Sequence, residues 1–219
     1  MQAVEDIQKI IEAKIRSDIY TMLPAKVTNA DNLTSAQTVD VMPLVGRLYT
    51  DGTQLPTSEI YNVPIVFPAG GGALISLPVG VGDGVCLLFS MRDLDGWENS
   101  DGKEAVRTPS TRHHSVTDAV AIAGLFTTTT HLTPNASDVE IKFAGSSWKM
   151  KPNGNVQLDV AGDYIENIGG NKISNVSGTI QQNAPSVKHN DVEIGGSHTH
   201  SQGNDSRGDA QQETEYVSR

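Results

Sequence analysis

Cysteine, aromatic residues, long apolar runs and basic clusters are all scarce in this sequence. Cys86 is the single cysteine, which excludes an intrachain disulfide framework and a thiolate metal cage. Aromatic residues make up 5% of the 219 positions and apolar types 37%, lean for a thick two-layer core. No run of about 18 apolar residues occurs. The N-terminal MQAVEDIQKIIEAKIRSDIY has no basic stretch leading into an apolar one, and the expectation is a chain made in the cytoplasm and not exported by the usual route. Lys and Arg number 16 against 26 Asp and Glu, a formal charge of −10. With no lysine/arginine run anywhere, nucleic acid is excluded as the expected partner.

What fills the gap is Gly, Asn, Ser and Thr, the composition of repetitive β-structure with many turns. Only the first stretch departs from it. Val4, Ile7, Ile10, Ile11, Ile15 and Ile19 recur at three- and four-residue steps, so residues 1–22 read as an amphipathic helix that either contacts partners or packs on the next domain. From 23 to 127 the pattern changes to short alternating runs: TVDVMPLVGRLY, EIYNVPIVFP, ALISLPV, GVCLLFS and AVAIAGLF, punctuated by ADN, DGTQ, AGGG and VGVGDG. Five strands in about a hundred residues fit a small antiparallel barrel of the OB type. In GDGVCLLFS both faces are apolar, which predicts a central strand with Cys86 as a small buried hydrophobe. The polar TTTTHLTPNASD, residues 127–138, reads as the joint between domains, with the linker assigned to 128–138.

An internal repeat follows, assigned to residues 139–194 as a shaft. From Gly154 the chain divides into GNVQLDVA, GDYIENIG, GNKISNVS, GTIQQNAP and SVKHNDVE. One column holds Asp159, Asn167, Asn175, Asn183 and Asp191; the next holds Val160, Ile168, Val176, Ala184 and Val192. Eight residues are too few for a helical solenoid unit but suffice for a strand and a corner. Gly then supplies positive φ or close approach, Asx the turn, and the apolar column points inward. One chain with so few inward groups per repeat cannot bury them alone. Three copies around an axis share one narrow core and close the sheet edges.

The remaining segment, 195–219, opens with GGSHTH and continues as a polar tail. Alone, His198 and His200 offer any metal only two imidazoles.

The OB-like pattern of VGVGDGVCLLFSMRDLDGW and HHSVTDAVAIAGLF, the glycine-marked octads and the terminal His-x-His together resemble the central spike, or membrane-piercing protein, of contractile-tailed bacteriophage baseplates, in the family without a lysozyme domain. The octads also resemble the intertwined β-helix of type VI secretion spikes. The resemblance implies an all-β fold with a short N-terminal helix: an OB-like barrel followed by an intertwined trimeric β-helix. It further implies a homotrimer assembled in the host cytoplasm and carried at the virion tail tip. Its partners would be the baseplate hub or tail tube and the host outer membrane. His198 and His200 of each chain would enclose one iron per trimer with six imidazoles.

The geometry of the motif supports the same ligand set. In an extended strand His198 and His200 face one side and Thr199 the other. Threefold symmetry turns two donors into six, a closed set that suits a six-coordinate first-row ion such as Fe(II) better than zinc. With no position left open, such a metal is structural. The polar stretch after the histidines departs from a sharp tip, because it has to turn back along the shaft.

No nucleophile elbow, phosphate-binding loop or paired-carboxylate insert is present, so no enzymatic activity is expected. AGGGA at 69–73 reads as a loop, RGD at 207–209 as an accidental match, and His113, His114, His131 and His189 as surface or interdomain residues. Breaching the bilayer then falls to applied force on a narrow tip. Two other readings use the same octads: a receptor-binding or adhesive trimeric tail protein, and a VgrG-like secretion spike.

Overall fold

The computed structural model describes residues 2–49, 51–195 and 207. The chain divides into two compact units, Met1–Ser137 and Asp138–Arg219.

The first unit opens with α1 (Gln2–Asp18), followed by β1 (Met22–Asn29), β2 (Thr38–Pro43), β3 (Arg47–Leu48), β4 (Gln54–Leu55), β5 (Ile60–Val66), β6 (Ala69–Gly70), β7 (Ala73–Leu74), β8 (Gly84–Phe89), α2 (Asp95–Glu98) and β9 (Ala119–Ala123). Strands β1, β2, β5, β9 and β8 close into a barrel in that order. All neighbours are antiparallel except β5 and β9, which run parallel through Ile65↔Ala121. A five-stranded Greek-key barrel of this order is an OB-type barrel, as the short alternating runs predict.

Period-2 alternation builds its core. Val39 and Val41 on β2, Ile60, Val63 and Ile65 on β5, and Val85, Leu87 and Phe89 on β8 all point inward and are buried. β-Branched residues dominate because their stiff side chains suit a pleated, half-buried surface. At Gly84 a Cβ would overlap the Leu125 carbonyl. That close approach lets the Gly84 carbonyl accept hydrogen bonds from the amides of Gly124 (3.1 Å) and Leu125 (3.3 Å), tying the end of β9 to the start of β8.

Three sequence expectations change here. The fifth barrel strand is MLPAKVTN, not ALISLPV. In β1, Ala25 and Val27 are buried around exposed Lys26; Pro24 and the flanking polar residues mask this alternation in the sequence. In ALISLPV only Ala73–Leu74 is strand, the return arm of a β6–β7 hairpin whose Gly71 and Gly72 turn at positive φ, while Leu74, Ile75 and Leu77 are exposed. Cys86 is half-buried and Leu88 exposed, rather than both being core. β8 is central in its pairing, flanked by β1 and β9, but a barrel has only one interior, so the other face of the strand looks out.

In α1, Val4, Ile7, Ile10 and Ile11 are exposed, so these residues do not pack on the barrel. Among the described residues no helix is long and apolar enough to cross a membrane.

The second unit begins with β10 (Val139–Phe143), β11 (Ser146–Met150) and β12 (Val156–Asp159), an antiparallel three-stranded sheet. Ala144 and Gly145, both at positive φ, form the two-residue turn between β10 and β11, the geometry that matches strand twist in tight hairpins. A small hairpin, β13 (Lys188–His189) and β14 (Val192–Glu193), turns in the same way at Asn190 and Asp191. Between 160 and 187 the chain forms neither helix nor strand.

Candidate functional site

His198 and His200 lie outside the described residues. What is described is the approach to them. Glu193, at the end of β14, accepts hydrogen bonds from the backbone amides of Gly195 (2.8 Å) and Val187 (3.2 Å) and from the Ser186 hydroxyl. These contacts hold its carboxyl below the usual range, the Ser186 hydroxyl contributing most. A Cβ at Gly195 would press on that carboxylate. Within one chain, therefore, Gly195 is small so that its amide can reach Glu193.

The octads show the repeat in three dimensions. Ile168, Val176 and Val192 of the apolar column are exposed in the single chain, as is Val160 at its head. The backbone–backbone hydrogen bonds among the described residues include none made by residues 162–186. Of the octad glycines at 154, 162, 170 and 178, only Gly154 has a positive φ. The other three have nothing within 4 Å of a would-be Cβ, so among the described residues of one chain neither the positive φ nor the close approach expected of the octad glycines is found at these three. Successive repeats do communicate through charge. Tyr164 and Lys172 sit at the same octad position one repeat apart, and both bind the Glu166 carboxylate, Tyr164 from 2.7 Å. Lys172 and then Tyr164 lower the Glu166 pKa, and Glu166 in turn raises those of Lys172 and Tyr164.

A second cluster, which the sequence reading did not single out, lies on the barrel. Asp93, Asp95 and Asp118 bring one carboxylate oxygen each within 4.8 Å of one another, with Asp93 and Asp118 buried. The cation among them is Arg112. Its terminal nitrogen lies 3.0 Å from Asp93, 3.0 Å from Asp95 and 2.8 Å from Asp118, and its Nε donates to the other Asp118 oxygen at 2.9 Å. Asp118 also accepts from the Leu94 amide at 3.1 Å, and Asp93 from the Asp95 amide at 3.0 Å and the Ser110 hydroxyl. Arg112 is the main cause of the lowered Asp118 pKa, and Asp118 the main cause of the raised Arg112 pKa.

The guanidinium fills the place a metal would take, so the node ties the segment after β8 to the start of β9 and is structural. Its members, in MRDLDGW and TRHHSVTD, lie some twenty residues apart. Only a buried Asp immediately before an apolar strand could have signalled it.

The other histidines have local partners. His114 Nδ1 lies 3.0 Å from the Tyr20 carbonyl oxygen and the Tyr20 amide donates to the His114 carbonyl at 3.3 Å, which fixes the chain between α1 and β1 to the barrel. His113 Nδ1 faces the Thr111 carbonyl, His131 Nδ1 that of Leu132, and His189 Nε2 the Asn190 side chain. All three are exposed.

A groove of about 720 Å³ runs beside β2 and β5, with Tyr20, Leu23, Pro43, Leu55 and Ile60 among its walls. Its Arg47 and Glu59 make no nucleophile–base arrangement.

Residues 23–124 match the family model described as the phage protein Gp138 N-terminal domain. No curated protein matches the chain. The matched residues end one position beyond β9 and include the whole closed barrel except Met22, and this similarity of the barrel domain supports a virion-associated protein of phage tail or baseplate type.

Proposed function

We propose that the chain is the trimeric central tail spike of a contractile-tailed phage, closing the tube end and piercing the host outer membrane when the sheath contracts. One observation carries this reading. Residues 162–186 combine an eight-residue apolar repeat exposed to solvent with a backbone that makes no backbone–backbone hydrogen bond among the described residues. Buried backbone groups need partners, and unpaired edges invite them. Three copies wound on one axis supply both the partners and a dry interior for Ile168 and Val176.

The parts divide the work. The barrel and α1, whose apolar residues 4, 7, 10 and 11 are exposed, form the platform on the baseplate hub or tube. The octad shaft bears the load. His198 and His200 hold one iron per trimer; the donor set of two imidazoles on alternate residues, tripled, is neutral, closed and suited to a six-coordinate ion. The iron would act as a cross-link between chains. The role is mechanical and not enzymatic.

Light scattering tests the assembly: the full chain should run near three times 23.4 kDa, and a monomer overturns the reading. Metal analysis should find one iron per three chains, lost in the His198→Ala/His200→Ala double variant. Unchanged iron content in that variant places the ligands elsewhere.

A further inference from the structure

The sheet of β10, β11 and β12 has two chemically opposite faces. Val139 pairs with Met150 and Ile141 with Trp148, and on the other side of β11 Trp148 pairs with Leu158 and Met150 with Val156. Directly paired residues of antiparallel strands project to the same side, so these six share one face. Glu140, Lys149, Gln157 and Asp159 share the other.

Exposure is the reverse of what a solvated sheet requires. The six apolar residues are each 42–64% exposed. On the polar face Lys149 reaches Asp159 at 3.0 Å and Glu140 at 3.8 Å, and Gln157 donates to Asp159 at 2.7 Å. These side chains cover one another and are less exposed than the apolar ones.

We propose that the apolar face of this sheet is the surface on which two further copies of the same chain dock, making it the platform that sets the register of the three chains before the octads wind. Area supports a macromolecular partner: with Phe143 beside them, residues of this size at half exposure offer on the order of 700 Å² per chain, close to the roughly 800 Å² each partner contributes to a standard specific interface. Continuity makes that partner another copy. Val160 follows Leu158 at a two-residue step, which keeps it on the same face, and it heads the column of Ile168, Val176 and Val192. A foreign protein or a lipid surface on the sheet would leave that eight-residue column uncovered, whereas copies of the chain cover both. Each copy brings this sheet already paired within itself, so register is set where no interchain backbone pairing is needed. Residues 162–186 of the octads, which make no backbone–backbone hydrogen bond among the described residues, begin only after it.

The proposal rests on the trimeric reading above, and the experiment separates the two. Trp97 and Trp148 are the only tryptophans, so the full-length Trp97→Phe protein reports on Trp148 alone. In the assembled protein Trp148 emission should be blue-shifted and its acrylamide quenching at least several-fold weaker than in the dissociated chain. In the Ile141→Glu/Leu158→Glu double variant, whose changes fall on exposed positions flanking Trp148, trimer formation should weaken at least tenfold while far-UV circular dichroism keeps the barrel signal. Lys149→Gln, on the opposite face, should assemble normally. A trimeric Trp97→Phe protein with freely quenched Trp148 overturns the docking face and leaves the trimer standing, as does a double variant that assembles like the parent. A monomeric parent protein overturns both.

Discussion

Arg112 grips Asp118 through two parallel hydrogen bonds, Nε to Oδ2 at 2.9 Å and the terminal nitrogen to Oδ1 at 2.8 Å. Asp118 is 1% exposed and immediately precedes β9. The same guanidinium nitrogen reaches Asp93 and Asp95, so a single side chain bridges two buried carboxylates and one exposed one.

Removing it leaves those charges without a cation. Arg112→Ala should destabilise the barrel, because the buried Asp93 and Asp118 carboxylates lose their cation, though by less than the loss of a wholly buried pair, since the Arg112 side chain is partly solvated. A urea titration followed by circular dichroism measures this. Arg112→Lys should recover little of it, since an ammonium cannot bond both Asp118 oxygens and still reach Asp93 and Asp95.

The same pair sets a pH dependence. The Asp118 carboxyl is held below its ordinary value of 3.8, chiefly by Arg112. The unfolded chain therefore takes up the proton first as pH falls. The stabilisation is complete above the ordinary Asp value and is lost below it, as pH drops through the folded value. Thermal midpoints measured at descending pH should fall more steeply below about pH 4 in the parent than in Asp118→Asn. Parallel curves would remove Asp118 from the account.

Gly84→Ala should cost the barrel about 1–3 kcal/mol, the usual range for forced overpacking. The added methyl meets the Leu125 carbonyl, which is backbone and cannot swing away. Gly80→Ala, with nothing within 4 Å of the new atom, is the control. Equal midpoints for the two variants would show that the Gly84–Leu125 closure carries no stability.

In the shaft, Ile168→Asp and Val176→Asp place a charge in the apolar octad column. Each should lower the proportion of trimer by sedimentation and leave the barrel's unfolding transition unchanged, because both residues are exposed in the single chain and lie in the other compact unit. Loss of barrel signal in these variants would contradict that division.

Much of the barrel is legible from period-2 alternation: TVDVMP, IYNVPIV, GVCLLF and AVAIA announce four of its five strands. The fifth is hidden because Pro24 and Lys26 interrupt MLPAKVTN, and its two small inward residues, Ala25 and Val27, give a weak signal. ALISLPV has the stronger apolar run and is mostly exposed loop. Local hydrophobicity cannot distinguish a strand that faces a core from a segment that awaits a partner.

The sequence by itself determined the β class, the OB-type alternation, the octad period and the His198–Thr199–His200 spacing, because each is a local regularity of side-chain chemistry. Only the tertiary structure decided which strands close the barrel, that Cys86 is half-buried, and that Arg112 joins three carboxylates drawn from residues 93 to 118. It also decided that the sheet of residues 139–159 turns its apolar side to solvent. These depend on pairing between residues far apart in the chain, where free energy comes from contacts that no local pattern encodes.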